Sequence, residues 1–451
     1  MSITLTATIR VAGLPERLLD EICEENRFQN PIYIANEQNG RSNWDTAAYI
    51  KTFSFSDNSL VLPRGYINRL LWLLKKEGVE YELDDKRFSS PVSFADRLNG
   101  VTLRPYQATC VEKSITREQG IIVAPTGSGK SLIGLEILRK REQRSLIIVH
   151  RSDLAKQWID WIKVRLGCDA GFIGSGDYKL GEEITVALIQ TLASREQDIS
   201  EMPFGLVLVD ECHHIPAQTF FKAISLIDAR FRYGLSATPT RTDGLEKLIY
   251  YGIGDPIEKI ERTEVEEIGA TVPARVKRVA TGFAPSDCES WMHYVSAISR
   301  DPDRNSFLLK LVMQQNRPTL VLMDRVGHAE NLAEMLRIRG IEYVLAHGKV
   351  KRQDLLERMR SSSITIGTSS LIGEGLDVSG WEVLILGSPI SSETKLLQAI
   401  GRVVRASPGK KEATIYDLCD NCGFSGASFK KRFEIYKKNK IWVDFGKGRV
   451  A

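Results

Sequence analysis

A secreted-type cysteine framework, long apolar runs and a strong charge excess of one sign are all missing from this chain of 451 residues. Its seven cysteines are odd in number and scattered from Cys23 to Cys422, unlike the dense framework of a secreted disulfide scaffold. A reducing compartment is expected. No apolar run approaches the roughly 18 residues of a membrane span, and Met1-Ser2-Ile3-Thr4-Leu5-Thr6 lacks the basic stretch and apolar core of an export signal. The expectation is a soluble cytoplasmic protein with no membrane partner. Lys+Arg 61 against Asp+Glu 57 leaves +4, which neither demands nor excludes a polyanion. Short repeats and low-complexity tracts are absent too, and 43% apolar with 26% charged residues is ordinary globular composition.

What is present is a repeated strand and helix pattern. Gly120-Ile121-Ile122-Val123, Ser145-Leu146-Ile147-Ile148-Val149, Leu206-Val207-Leu208-Val209, Thr319-Leu320-Val321-Leu322, Ile364-Thr365-Ile366-Gly367 and Val383-Leu384-Ile385-Leu386 each precede a turn and a helix-period segment. Continuous apolar strands belong to parallel sheets covered on both faces, so the pattern predicts an α/β fold with two similar doubly wound lobes. Ile257 to Arg278, charged and carrying Gly269 and Pro273, reads as a linker with a short returning strand. Residues 1–95 differ, with alternation from Thr4 to Val11 and helical stretches over Leu14 to Glu25 and Tyr66 to Glu77, which predicts a small α+β domain. The expected divisions are 1–95, 96–262 and 263–451. Residues 1–95 hold 11 basic against 13 acidic side chains, whereas Arg402 to Ala451 holds 12 against 5. The basic excess sits in the C-terminal tail.

Three motifs carry chemistry. Ala124-Pro125-Thr126-Gly127-Ser128-Gly129-Lys130-Ser131 follows an apolar strand and precedes the amphipathic run Leu132 to Arg139. A strand, glycine loop and helix start form a phosphate cradle: Thr126, Gly127, Ser128 and Gly129 offer backbone N–H groups, Lys130 reaches the β- and γ-phosphates, and Ser131 holds Mg²⁺. ATP and Mg²⁺ are the expected cofactors. Asp210-Glu211-Cys212-His213 ends the candidate strand Leu206 to Val209; Asp210 is a metal ligand candidate and Glu211 a polariser of the attacking water, against a plain acidic strand end. Gln398-Ala399-Ile400-Gly401-Arg402-Val403-Val404-Arg405 puts Arg402 and Arg405 three apart, on one helix face, as candidate arginine fingers; the alternative is a solvated basic face. Together they imply an ATP site completed when the lobes close.

From about Leu103 to Asp417 the ordered motifs resemble the superfamily 2 DExH-type DNA helicases and translocases, which implies two RecA-like parallel-sheet lobes. Leu103-Arg104-Pro105-Tyr106-Gln107 looks like the adenine-reading segment, implying base contacts from Gln107 and Arg104. Ile148 to Trp158 resembles motif Ia, whose loop touches nucleic-acid backbone and includes Arg151, and Thr185 to Leu192 resembles the next such segment, with Thr191 at a phosphate. Ser236-Ala237-Thr238 resembles the motif that couples hydrolysis to movement; His213 and Gln398 are implied in the same coupling. Pro239 to Gly244, with Arg241 and Asp243, is similar to the Arg-Glu-Asp element of the XPB-like branch, but Thr242 replaces the glutamate. Leu320 to Asp324 and Ala346-His347-Gly348 resemble motif IV and the turn after it. Ile366 to Val378 resembles motif V, implying Thr368 at the nucleic acid and Gly375 and Asp377 at the nucleotide. The Asp-Glu-Cys-His form resembles XPB-like and phage UvsW-type branch-migration helicases. That resemblance implies DNA-stimulated ATP hydrolysis, 3′-to-5′ translocation and remodelling of forks and Holliday junctions during recombination, repair or replication, in bacterial or phage-infected cytoplasm.

Several features keep two readings. Phe429, Phe433 and Tyr436 recur at helical spacing among Lys430, Lys431, Arg432, Lys437, Lys438 and Lys440; the aromatics favour packing, while Lys430 and Lys431 are candidate DNA contacts. Residues 1–95, with Trp44, Tyr49, Arg64 and Trp72, either dock branched DNA or serve structure or a protein partner. Cys419-Asp420-Asn421-Cys422 has no second pair nearby, so unpaired thiols are favoured over zinc. Trp158 and Trp161 fit core better than base stacking. Three activities stay open: a helicase on branched DNA, a duplex translocase without strand separation, and an ATP-switched sensor or RNA-directed enzyme.

Overall fold

The computed structural model describes residues 1–195, 199, 202–212, 217–237, 245–285, 288–347, 352–368 and 380–445. By contacts it divides into two compact units, Met1–Ala124 with Gly129–Ile260, and Pro125–Ser128 with Glu261–Ala451.

The first unit is built on an eight-stranded sheet. Its strands run in the order Asp177–Lys179, Gly171–Gly174, Ile184–Leu188, Ser145–Val149, Leu206–Asp210, Phe231–Ser236, Gln119–Val123 and Pro256–Lys259. All neighbours are parallel except the hairpin between Gly171–Gly174 and Asp177–Lys179. Ser145–Val149 and Leu206–Asp210 are buried along their whole length, as strands covered on both faces must be. Because the central strands are parallel, their C-terminal ends share one edge, the place where α/β sheets bind ligands.

A second, five-stranded sheet in this unit, in the order Ser54–Ser56, Ser59–Pro63, Thr8–Ala12, Ser2–Leu5 and Glu82–Asp85, packs with the helices Glu16–Glu25 and Ile67–Lys76 around Ile3, Ile9, Leu18, Ile22, Leu70 and Leu74. The alternation over Thr4 to Val11 is thus two antiparallel strands, Ser2–Leu5 and Thr8–Ala12. This small α+β region is tied to the large sheet by Arg64, only 1% exposed. Its guanidinium donates to Gln119 Oε1 at 2.8 Å, to the Arg230 carbonyl at 3.0 Å and to the Ala229 carbonyl. Arg64 is therefore not available to DNA, a correction to its grouping with Trp44, Tyr49 and Trp72, which are exposed. Nearby, Gly65 admits no side chain, because a methyl there would strike the Tyr250 and Tyr251 carbonyls.

The second unit is a seven-stranded, all-parallel sheet in the order Val344–Ala346, Ile364–Thr368, Thr319–Met323, Val383–Leu386, Ala413–Cys419, Ala274–Ala280 and Trp442–Asp444. Leu320, Leu322, Leu384, Leu386 and Ile415 fill one face; Val321, Val383 and Ile385 fill the other, the period of two in side-chain direction. The stretch expected as a linker is more ordered: it contains the edge strand Pro256–Lys259, the helix Arg262–Glu267 and most of the strand Ala274–Ala280. No described helix is long and apolar enough to cross a membrane.

The tail helix Gly423–Lys438 lies on this sheet through Phe429, Ile435 and Tyr436, all buried. Arg432 belongs with them rather than with the basic face. It is fully buried and grips Asp417 with two hydrogen bonds, 2.9 Å from Nε and 2.7 Å from Nη2, while Tyr436 donates to the same carboxylate at 2.9 Å. Lys430, Lys431, Lys437 and Lys438 are exposed.

Candidate nucleotide and nucleic-acid site

The cradle is built by backbone geometry. The strand Gln119–Val123 runs into the loop, and the helix Lys130–Arg141 begins behind Gly129, whose φ of 80° with Gly127 at 91° lies in the region only glycine enters freely. Ala124 N–H donates to the Ser236 carbonyl at 2.9 Å, joining the loop to the end of the strand Phe231–Ser236. Gln107, 2% exposed, accepts from the Arg104 backbone N–H at 2.9 Å, and its amide lies where a methyl on Gly129 would collide. Gln107 thus stands against the cradle, while the Arg104 side chain is exposed.

Lys130 points back over the loop. Its ammonium donates to the Ala124 carbonyl at 3.3 Å and pairs with Glu211 Oε1 at 3.4 Å. Glu211 takes φ 47°, a left-handed conformation uncommon for a residue with a side chain, immediately after the strand Leu206–Asp210 ends. Strain of that kind collects at functional sites. Asp210, 6% exposed, accepts from Trp158 Nε1 at 2.8 Å and from the Glu211 N–H at 2.9 Å. Burial, then the adjacent Glu211 charge, pushes its carboxyl above the usual range. An ammonium, a hydroxyl at a helix start in Ser131, and two carboxylates at a strand end form a hard oxygen donor set beside a cation. That set fits magnesium and a polyphosphate.

The next two strands along the same edge lead to backbone-contact candidates. The strand Ser145–Val149 leads to Arg151, whose guanidinium pairs with Asp153 at 3.0 Å at the start of the helix Ser152–Leu166. The neighbouring strand Ile184–Leu188 leads into the short helix Ile189–Ala193 with Thr191, half-buried, and Gln190 donates to the His150 carbonyl at 3.2 Å. So the structure brings Lys130, Asp210, Glu211, Ser236, Arg151 and Thr191 to one edge of one sheet.

In the second unit, Thr368 ends the strand Ile364–Thr368 and is 4% exposed. Gln398 and Arg402 lie in the helix Glu393–Val403, with Arg402 nearly buried. Arg405 does not share that helix face, because the helix stops at its cap, Val404, and Arg405 instead bridges to Thr271. Val404 is held by the Val272 N–H at 2.8 Å, and the Arg405 carbonyl by Lys410 at 2.9 Å, which turns the chain out of the helix. His213, Thr238, Arg241, Asp243, Gly375 and Asp377 lie outside the described residues. Cys419 is buried, and Asp420 inside the same motif receives Arg304 at 2.8 Å and Tyr294 at 2.6 Å.

Two family models match the two sheets in turn: type III restriction enzyme, res subunit, over residues 100–241, and helicase conserved C-terminal domain over residues 303–407. The chain is a superfamily 2 helicase. Among this helicase's relatives, "Probable helicase D10" of Escherichia phage T5 is 26% identical, over 81% of this chain and 82% of its own. "DNA 3'-5' translocase XPB2" of Sulfurisphaera tokodaii is 25% identical over 70% and 81%, and "ATP-dependent DNA helicase uvsW" of Enterobacteria phage T4 is 22% identical over 93% and 90%. A fragment of a putative HsdR subunit of a type I restriction enzyme from Vibrio vulnificus shares the fold, with TM-score 0.57 and 20% identity over 73% of this chain and 65% of that one. The helicase is therefore an ATP-hydrolysing enzyme with two RecA-like lobes that acts on nucleic acid.

Sequence reasoning missed two side chains that the site uses. Trp158 reads as core, and it is fully buried, but its one N–H is spent on Asp210, 52 positions away. Asp153 reads as part of a motif loop, whereas it holds Arg151. A weak signal existed for the second, since Asp153 stands two residues after Arg151; for the first, nothing local reports the partner.

Proposed function

We propose that this helicase is a DNA enzyme that moves 3′-to-5′ and remodels forked or branched DNA. What supports the reading is the shared sheet edge, where Lys130, Asp210 and Glu211 neighbour Arg151 and Thr191, so that a nucleotide and a strand backbone meet one rigid element. The names of the T4 and Sulfurisphaera relatives support DNA and the polarity.

In this reading Thr126 to Gly129 present backbone N–H groups to phosphate oxygens, Lys130 takes the β- and γ-phosphates, and Ser131 with Asp210 holds magnesium. When bound, the ion neutralises phosphate charge. Glu211 accepts hydrogen bonds from the attacking water and orients it, released from Lys130 when that ammonium turns to phosphate. Arg402 and Arg405 supply guanidiniums to the transferring phosphoryl group, Gln107 and Arg104 contact the base, and Ser236 with Gln398 links turnover to movement. Arg151, Thr191 and Thr368 hold backbone phosphates, with Lys430 and Lys431 as an outer grip. Contacts of that type carry no sequence information, so selection is by DNA structure. Residues 1–95 face the substrate through their exposed aromatics.

Comparing ATP turnover with single strand, duplex, fork, four-way junction and RNA tests the reading. Fork and junction are expected to stimulate most. A preference for RNA overturns it. Equal stimulation by plain duplex, without strand displacement, favours a duplex translocase, the second reading that the name of the Sulfurisphaera relative favours.

A further inference from the structure

Among the described residues Asp210 has two hydrogen-bond donors, and they differ in kind. The Glu211 N–H comes from the next residue and is fixed by the chain itself. Trp158 Nε1–H comes from the helix Ser152–Leu166, across the interior, at 2.8 Å. The indole is 0% exposed and has a single polar atom, so once buried it has one way to be satisfied. It also has no room to turn. Trp161 packs against it edge-on with ring centroids 5.7 Å apart. On the other side, the helix that starts at Lys130 passes close at Gly134: a methyl there would lie 3.1 Å from the indole Cη2 and 2.9 Å from Leu208 Cδ2. Trp158 is therefore wedged between the helix of the phosphate cradle and the strand of Asp210, with its N–H aimed at the carboxylate.

The same helix begins one residue after Arg151. Trp158 lies seven positions after Arg151, about 10 Å along a helix axis. A helix is stiff over that length, so a shift at its start is carried to Trp158.

We propose that Trp158 is a positioning residue that holds the Asp210 carboxylate for its metal and makes that carboxylate answer to nucleic acid at the start of the helix Ser152–Leu166. The proposal rests on the reading above, in which Asp210 is a metal ligand and the Arg151 loop meets the strand. It assigns to a tryptophan in the core the task of linking the two halves of one sheet edge.

Trp158→Phe keeps a ring beside Gly134 and removes the donor. Two measurements follow on the full chain. Binding of a non-hydrolysable ATP analogue, titrated with Mg²⁺, is expected to need about tenfold more Mg²⁺ at half-saturation, roughly the 1.4 kcal/mol of one hydrogen bond, while binding without Mg²⁺ is unchanged. DNA stimulation of ATP turnover is expected to fall several-fold more than basal turnover does. In a double-mutant cycle on Mg²⁺-dependent binding, Trp158→Phe is expected to add nothing to Asp210→Asn. An unchanged Mg²⁺ requirement, or effects of the two substitutions that simply multiply, overturns the proposal. Trp158→His places a ring nitrogen at the position of Nε1 and is expected to recover part of the Mg²⁺ response. If the Phe variant does not fold, the indole N–H signals of the seven tryptophans are compared between the wild-type chain and Asp210→Ala. One exchange-protected signal is expected to shift and lose protection, and no such signal overturns the proposal. Lys130→Ala separates this from failure of the underlying reading: turnover that survives it removes the ATP site, whereas its loss beside an indifferent Trp158→Phe removes only the role of the tryptophan.

Discussion

Asp210 and Asp417 are both buried carboxylates on parallel strands, one in each lobe, and their surroundings are opposite. Asp417 faces a full countercharge: Arg432 donates twice and Tyr436 once, within one interior that also contains Ser428. Asp210 faces two neutral donors and a like charge on Glu211, and the Lys130 ammonium that acts on it is already paired with Glu211 at 3.4 Å. A buried carboxylate with its charge matched is part of the architecture, because removing either partner strands the other in low dielectric. One left with unmatched charge is costly to keep and is retained where a ligand supplies the missing cation. The lobes thus share a fold, and the difference in charge matching separates the carboxylate that is matched inside from the one proposed to meet a ligand.

The largest effect that tests this contrast is at the open site. Lys130→Ala is expected to lower ATP turnover on the order of 1,000-fold, the scale of losing a group aimed at transition-state charge, with a melting temperature close to that of the parent. Retained turnover in a coupled ATPase assay breaks the comparison. At the closed site the expectation reverses. Arg432→Met is expected to cost about 3–5 kcal/mol in denaturant unfolding, with turnover per folded molecule little changed; an unmoved midpoint shows that Asp417 was not matched as described.

Next in size is a pH effect in the second lobe. His328 is buried between Asn305 Oδ1 at 2.8 Å and Ser388 Oγ at 3.3 Å, and burial, followed by the Arg304 charge, pulls its imidazole from 6.5 down to about 4. Below pH 6.5 the unfolded chain takes up a proton that the folded chain refuses until about pH 4. Stability is therefore expected to fall as pH drops through that window, by about 3 kcal/mol in total, and to be insensitive to this group above it. His328→Asn is expected to flatten that part of the profile of melting against pH, and an unchanged slope refutes it. The smallest effect is on the exposed tail: Lys430→Gln with Lys431→Gln is expected to weaken DNA binding a few-fold and to reduce the slope of log affinity against log salt by roughly 0.9 per lost phosphate contact. A slope that stays put removes these lysines from the interface.

Much of the site was legible because its motifs are local. Gly127, Gly129 and Lys130 depend on a turn of a few residues after a strand, and Asp210 on a strand end, so period and spacing suffice to find them. Arg405 shows where that stops: three positions after Arg402 implies a shared helix face only if the helix continues, and Val272, distant in sequence, together with Lys410 stops it at Val404. Arg64 and Arg432 fail in the same way, since a basic residue among aromatics looks the same in sequence whether it faces phosphate or a buried acceptor.

By itself, then, the order of residues determined two parallel-sheet lobes, the phosphate cradle and the acidic strand end, all of which follow from backbone rules that act within a few residues or one helix turn. Only the tertiary structure decided which charged side chains are matched inside and which are left for ligands. Trp158 reaches Asp210, Arg432 reaches Asp417 and Arg64 reaches Gln119 across 52, 15 and 55 positions, and the cost of burying a polar group is set by the neighbours that folding brings, not by those along the chain.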